Sequence, residues 1–188
     1  MKGKALKIGI PAFLLGGFIW LMMGMPPYAQ VGYGPEQPIE YSHKKHAGDL
    51  NIDCQYCHTG VTTGKKAGVP SISICMNCHV SVGFKEDMFT PLDKLAPLHE
   101  KWDNEESPEW IRIHNMPDHV RFSHAPHVNS LSKPGDPTKE VCKNCHGDIA
   151  NMEVVEQVES LNMGFCVSCH KDKRETHGSR INCSTCHY

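Results

Sequence analysis

The sequence lacks a strong charge of either sign. Its 188 residues include 19 Lys and Arg against 21 Asp and Glu, which gives a formal net charge of −2. A nucleic-acid-binding domain usually carries a clear excess of Lys and Arg on one face. The composition therefore gives no indication of a nucleic-acid partner.

The sequence also lacks any cysteine outside one repeated pattern. All ten cysteines lie in five copies of Cys-x-x-Cys-His, so none remains for a disulfide or for a nucleophile. The copies, called motifs 1 to 5 in chain order, are Cys54-Gln55-Tyr56-Cys57-His58, Cys75-Met76-Asn77-Cys78-His79, Cys142-Lys143-Asn144-Cys145-His146, Cys166-Val167-Ser168-Cys169-His170 and Cys183-Ser184-Thr185-Cys186-His187.

Cys-x-x-Cys-His is the attachment signature of a c-type haem. The two thiols add to the vinyl groups of the porphyrin, and the histidine that follows becomes the proximal ligand of the iron. If the motif is at least partly helical, residues three and four apart lie on one face and meet the same haem. The sequence therefore predicts five covalently bound haems c, with the ten cysteines as attachment points and the five motif histidines as proximal ligands.

A structural zinc site is the competing interpretation of paired cysteines, because two pairs close a tetrahedron around the ion. Five pairs leave one pair unmatched. Zinc also gives no reason for a histidine directly after every pair. The pattern favours haem over zinc.

The chain has little material for an apolar core of its own. Residues 31–188 provide about 32 residues for each motif, too few for an independent core around every haem. The porphyrins are therefore expected to supply much of the buried apolar surface. We expect a mostly irregular chain with short α-helices and little sheet.

Residues 1–30 are predicted to be a membrane anchor. Lys2, Lys4 and Lys7 precede an uncharged run at residues 8–25, which is near the lower length limit for spanning a bilayer. Trp20 and Tyr28 suit the membrane interface. A cleaved secretory signal is the alternative. The basic flank predicts that the rest of the chain lies on the outer side of the cytoplasmic membrane, in the periplasm.

A short element occurs twice, each time ahead of a group of motifs. Tyr41-Ser42-His43-Lys44-Lys45-His46 precedes motif 1, and Phe122-Ser123-His124-Ala125-Pro126-His127 precedes motif 3. This aromatic-Ser-His-x-x-His repeat resembles the pattern that cytochromes of the c3/c7 type place ahead of their haems, with both histidines as distal ligands. The repeat divides the chain into the anchor (1–30), a two-haem cluster (31–80), a connecting segment (81–118) and a three-haem cluster (119–188).

Two further helices are expected outside the motifs. Thr90-Pro91-Leu92-Asp93 is typical of a helix start, with Leu92, Leu95, His99 and Trp102 on one face. Pro97 is expected to kink or end this helix. A shorter helical stretch is expected at residues 152–159.

Eight histidines remain after the five proximal ones, and a second imidazole on each iron would leave no open position for a substrate. The candidate distal ligands are His43, His46, His114, His119, His124, His127 and His177. His99 is interpreted as a packing or surface residue. Methionine is the other distal ligand to consider, with Met152 and Met163 near motif 4. The surplus of histidines also leaves open a sixth, non-covalent haem.

Over essentially its whole length the chain resembles the pentahaem cytochrome subunit of bacterial alternative complex III and of related periplasm-facing menaquinone reductase complexes. The resemblance rests on the 37–48 segment, motifs 1 and 2, the 114–127 segment, Met163-Gly164-Phe165-Cys166 and the terminal Cys186-His187-Tyr188. Phe165 stands where many relatives have Trp. The implied partners are a multi-helix quinone-binding membrane subunit, an iron–sulfur subunit, a subunit resembling molybdopterin oxidoreductases and a soluble periplasmic cytochrome.

The expected function is electron transfer between a membrane quinone oxidoreductase complex and periplasmic carriers, as a subunit that is not catalytic alone. Two alternatives remain. One is a stand-alone, membrane-anchored quinol dehydrogenase that feeds a periplasmic reductase. The other is a terminal multihaem reductase, which requires an iron with an open position.

Overall fold

The computed structural model describes residues 13–18, 31–80, 92–135 and 137–188, and within these ranges the chain consists of short helices joined by irregular segments, with no strand. This agrees with the predicted fold class. The α-helices are α1 (Cys54–Cys57), α2 (Ile72–His79), α3 (Leu92–Asp103), α4 (His124–Leu131), α5 (Thr138–His146), α6 (Met163–Asp172) and α7 (Arg174–His177). A π-helix spans Lys44–Asp49, and 3₁₀ turns span Ile149–Asn151 and Cys183–Thr185.

Local sequence explains where several of the motif helices begin and end. The carboxylate of Asp53 accepts a hydrogen bond from the Gln55 N–H at 2.8 Å and caps α1. The Asn162 side chain accepts one from the Phe165 N–H at 2.9 Å and caps α6. Gly147 ends α5 with φ 68° and ψ −163°, a conformation that is open almost only to glycine. A Cβ there would also lie 2.6 Å from Cγ2 of Val158.

The predicted membrane anchor lies outside the described residues except for a helical turn at 13–18. Across the ranges that are described, no helix has the length and apolar character needed to cross a membrane.

Helix α3 is present, but it differs from the prediction in two ways. It continues through Pro97 to Asp103, so Pro97 does not end it, and a kink at this proline stays a prediction. Leu95 and Leu98, on either side of the proline, are buried, and this packing offsets the lost backbone hydrogen bond. Trp102 is 40% exposed and does not belong to the buried face. Thr90 and Pro91 lie outside the described residues.

The helix predicted at residues 152–159 does not form, because this segment pairs with an N-terminal one. The Gln157 N–H donates to the Tyr33 carbonyl at 2.9 Å, and its own carbonyl accepts from the Gly32 N–H at 2.7 Å. The side chain of Gln157 is completely buried and donates to the Glu159 carbonyl at 2.9 Å. These long-range contacts override the weak local preference for helix.

The apolar core consists of two small clusters. One brings Ile39, Met76, Leu95 and Leu98 together, with Trp110 at its edge. The other contains Val61, Val128 and Val141. Such short sets of buried side chains match the expectation that the polypeptide alone buries little apolar surface.

Candidate haem centres

Every Cys-x-x-Cys-His motif begins on a helical turn. Motifs 1 to 4 lie on α1, α2, α5 and α6, while motif 5 lies on the 3₁₀ turn Cys183–Thr185. All ten thiols are free of disulfide bonds. The helical turn brings both thiols and the following imidazole to one side of the chain, as haem attachment requires.

Three of the motif histidines are oriented by hydrogen bonds to main-chain carbonyls. Nδ1 of His58 lies 2.7 Å from the Gly68 oxygen, and Nδ1 of His170 lies 2.6 Å from the Arg180 oxygen. In motif 5, Nδ1 of His187 lies 3.0 Å from the His119 oxygen. A carbonyl only accepts, so each Nδ1 carries the proton and Nε2 is left free to bind a metal.

Three histidines of the repeated element also have Nδ1 within hydrogen-bonding distance of a main-chain carbonyl. Nδ1 of His46 lies 2.8 Å from the Ser42 oxygen, and Nδ1 of His127 lies 2.7 Å from the Ser123 oxygen. Nδ1 of His124 lies 2.8 Å from the carbonyl of Lys65, in the first half of the chain. Nδ1 of His43 is buried and has no hydrogen-bond partner among the described residues.

Each motif histidine faces a different histidine from outside the motifs. An imidazole nitrogen binds a metal at about 2 Å, so two rings on opposite sides of one iron have centroids about 6 Å apart. The observed centroid distances for the five facing pairs are 6.5 Å for His43–His58, 6.0 Å for His46–His79, 6.4 Å for His124–His146, 5.8 Å for His127–His170 and 5.4 Å for His119–His187. These residues fit five haem irons, each held between two imidazoles.

The repeated element has the same geometry in both copies. The Tyr41 ring meets the His43 ring edge-on, with centroids 4.8 Å apart and planes at 84°. It also lies against His46 at 4.4 Å. Phe122 meets His124 at 4.9 Å and 84°, and lies against His127 at 4.6 Å. The repeat seen in the sequence is therefore also a repeat in structure.

The other two candidate distal histidines are placed differently. The Nε2 atom of His114 lies 3.2 Å from Nδ1 of His146, on the side of that ring away from its metal-binding nitrogen. His177 is exposed, and its Nδ1 lies 2.7 Å from the Thr176 hydroxyl. In the described part of the chain, neither ring lies across from the Nε2 of a motif histidine. Met163, considered above as a distal ligand, is 69% exposed.

Burial keeps the central imidazoles neutral. Desolvation, assisted by neighbouring histidines, lowers the pKa of His43 to about 4 and the pKa of His146 to about 3. Burial also lowers the pKa of His114 and of His127. A neutral imidazole is the form that binds iron, so these shifts favour ligation at neutral pH.

Burial likewise favours the uncharged form of several motif thiols. It raises the pKa of Cys145 to about 11, with smaller contributions from the neighbouring Cys169 and Cys166 thiols. The pKa values of Cys57, Cys75 and Cys166 are raised as well, chiefly by burial. Cys54 differs, because the Cys142 side chain lowers its pKa to about 7. The preference for haem over zinc therefore rests on the Cys-x-x-Cys-His pattern and on the facing histidines.

Contacts between elements show which motifs are neighbours. Motif 1 adjoins motif 2 through a hydrogen bond from the Asn77 amide to the Tyr56 hydroxyl at 3.1 Å. It adjoins motif 3 through a hydrogen bond from the Gln55 amide to the Thr138 hydroxyl at 3.4 Å. Motifs 3 and 4 are linked by α4, whose two histidines face His146 and His170, and motif 4 is followed directly in the chain by motif 5. These neighbours give the order 2–1–3–4–5, which differs from the order in sequence.

Sequence reasoning missed this order and the contact between His114 and His146. Both depend on how distant segments fold together, and no local pattern signals them. The pairing of His43 with motif 1 and of His46 with motif 2 had a usable signal. The repeated element precedes each group of motifs, and its two histidines pair with the next two motifs in chain order.

Comparison with known proteins points to the same class of protein. Residues 120–188 match the family model described as cytochrome c7 and related cytochrome c. The chain is also 27% identical to the menaquinone reductase multiheme cytochrome c subunit of Nitratidesulfovibrio vulgaris, over 197 aligned residues that cover 95% of this chain and 90% of the relative. With five Cys-x-x-Cys-His motifs and their facing histidines, the chain is a multihaem c-type cytochrome.

Proposed function

We propose that this chain is a pentahaem electron-transfer subunit of a membrane quinone oxidoreductase complex. It passes electrons between the quinone-reacting part of that complex and a periplasmic carrier. The observation that carries the proposal is the set of five facing histidine pairs, with ring centroids 5.4–6.5 Å apart. When bound, haem c supplies a one-electron iron couple.

The facing pairs favour electron transfer over chemistry on a substrate. An iron held by two imidazoles has no position at which a small molecule can bind. In motifs 1 to 5 the second imidazole comes from His43, His46, His124, His127 and His119, respectively. Five closed sites favour electron transfer over a terminal reductase.

The spatial order of the motifs supports conduction along one line. Each motif neighbours the next one in the order 2–1–3–4–5. The two ends of this line are motif 2 and motif 5. We propose that electrons enter at one of these ends and leave at the other.

The setting of the subunit is part of the proposal. The N-terminal residues 1–30 anchor it in the cytoplasmic membrane, and residues 31–188 lie in the periplasm. The relative's name places that protein in a menaquinone reductase, which supports a quinone complex here. The proposed neighbours are a multi-helix quinone-binding subunit, an iron–sulfur subunit and a molybdopterin-oxidoreductase-like subunit, as in alternative complex III, with a soluble cytochrome as the exchange partner.

The subunit composition of the native complex tests this proposal. The complex is isolated from membranes in mild detergent, and its components are identified by mass spectrometry. We expect a multi-helix membrane protein and an iron–sulfur protein to co-purify with this chain. Recovery of the chain alone, or with a single periplasmic reductase, would instead identify a stand-alone quinol dehydrogenase.

A further inference from the structure

His114 makes a contact with motif 3 that has no equivalent in motifs 1, 4 and 5. Its Nε2 lies 3.2 Å from Nδ1 of His146, and the two rings meet edge-on, with centroids 4.4 Å apart and planes at 84°. Motifs 1, 4 and 5 use main-chain carbonyls in this position. Only motif 3, among these four, has its proximal imidazole held by a side chain.

The segment that leads into His114 is held by hydrogen bonds at two residues. The amide of Gln37 makes two hydrogen bonds to the main chain of Ile111: its oxygen accepts from the N–H at 2.8 Å, and its nitrogen donates to the carbonyl at 3.0 Å. The Arg112 guanidinium donates to the His114 carbonyl at 3.0 Å. His114 is therefore held in place by contacts that do not involve His146.

The direction of the hydrogen bond follows from the chemistry of His146. When its Nε2 binds iron, its Nδ1 carries the proton and donates to Nε2 of His114. An accepting partner behind a ligand histidine fixes the ring's rotation and makes the imidazole a stronger electron donor to the metal. The ring of His146 lies almost parallel to that of His124, with an angle of 6° between their planes.

We propose that His114 is a positioning residue for the haem of motif 3. By accepting a hydrogen bond from the Nδ1–H of His146, it keeps that ring parallel to His124 and holds the reduction potential of this haem low. The proposal rests on haem binding at motif 3, as proposed above. Motif 3 is the middle site in the order 2–1–3–4–5, so His114 sets the potential at the centre of the line.

The test compares His114→Leu with His114→Gln in the complete, haem-loaded protein. Leucine fills similar space but cannot accept a hydrogen bond, whereas the glutamine amide oxygen can. His177→Leu is the control, because His177 is exposed and contacts Thr176 rather than a motif histidine. For each variant the haem content is measured first. Each haem is then followed by a redox titration monitored by electron paramagnetic resonance at constant pH.

In His114→Leu we expect one low-spin signal to change shape, because the His146 ring is no longer held. The potential of that haem should rise by ~59 mV, which for one electron corresponds to a tenfold change in the ratio of oxidised to reduced iron. The other four signals and the haem content should stay unchanged. His114→Gln should restore most of the potential, and His177→Leu should match the unmodified protein.

Three results would overturn the proposal. Unchanged potentials in His114→Leu would show that the contact does not tune the haem. A high-spin iron in that variant would show that His114 is itself an iron ligand. An equal shift in His114→Leu and His114→Gln would show that the hydrogen bond is not the cause.

If His114→Leu does not assemble, Gln37→Ala decides the question. This variant frees the Ile111 main chain and leaves the His114 ring intact. The same single signal must then shift in the same direction, and the proposal fails if it does not. Loss of haem from motif 3 in the unmodified protein would instead contradict the proposed function.

Discussion

At the residue scale, we infer the function of the candidate histidines from the rings and atoms that they contact. A histidine whose Nδ1 donates to a carbonyl presents an unprotonated Nε2, as His46, His124 and His127 do. His114 presents its Nε2 to another histidine instead. The sequence indicates that seven histidines are candidates for five positions, and the contacts separate them into five facing residues, one supporting residue and one exposed residue.

Substitution of His119 tests this classification of the histidines directly. His119→Ala removes the ring that faces His187 and leaves the carbonyl that accepts from Nδ1 of His187. We expect one iron in five to become high-spin and able to bind carbon monoxide when reduced, because its sixth position is open. Optical and electron paramagnetic resonance spectra measure this fraction. His177→Ala is the matched control, and five low-spin irons in both variants would show that His119 is not a ligand.

At the element scale, the repeated aromatic-Ser-His-x-x-His segment is the unit that builds two haem sites at once. One aromatic ring, Tyr41 or Phe122, contacts both histidines of its own copy. The first copy includes the π-helix Lys44–Asp49, and the second starts α4. Two different backbone conformations thus position an equivalent pair of candidate ligand histidines.

The shared aromatic ring predicts that its removal affects haems in pairs. Tyr41→Ala should alter the signals of the haems in motifs 1 and 2, and Phe122→Ala those in motifs 3 and 4, because each ring packs on two candidate ligands. In each affected haem, the ratio of oxidised to reduced iron at a given potential should change by up to about tenfold, which is the lower end of the range for supporting residues. Redox titration of each variant measures this.

Tyr41→Phe is the control, since phenylalanine already occupies the equivalent position in the second copy. It should leave all potentials near those of the unmodified protein. A change confined to one haem in Tyr41→Ala would contradict the paired effect.

The elements also show what the sequence could and could not predict. The motifs and the repeat were recognisable because their chemistry is local, with fixed spacing between the reacting residues. Helix α3 continues through Pro97 because Leu95 and Leu98 pack against Ile39 and Met76. Residues 152–159 stay irregular because Gln157 pairs with a segment more than a hundred residues away. Both errors come from tertiary contacts that override local propensity.

At the scale of the whole molecule, several of the contacts that join the two halves lie beside the candidate haem ligands. The first half supplies the Lys65 carbonyl that orients His124, and the Gly64 carbonyl that accepts from the Ala125 N–H at 3.1 Å. The Gln55 amide donates to the Thr138 hydroxyl at 3.4 Å across the same junction. The division into two haem clusters and a connecting segment stays a prediction from the sequence, and the junction lies between motifs 1 and 3.

The small core predicts that the fold depends on haem. The described buried apolar side chains form clusters of only four and three residues. Each fully buried large side chain contributes about 1.5–3 kcal/mol, which is too little in total to offset the ordering of a chain this long. We expect the chain produced without haem attachment to show no cooperative thermal transition by calorimetry. A sharp transition in the haem-free chain would contradict this account.

We propose that five haems are bound to this chain and that each iron is held by two histidines. This is tested by the haem-to-protein ratio together with the spin state of the purified, oxidised protein. We expect five covalently bound haems per chain, all low-spin. A ratio other than five, or a high-spin iron in the unmodified protein, would contradict it.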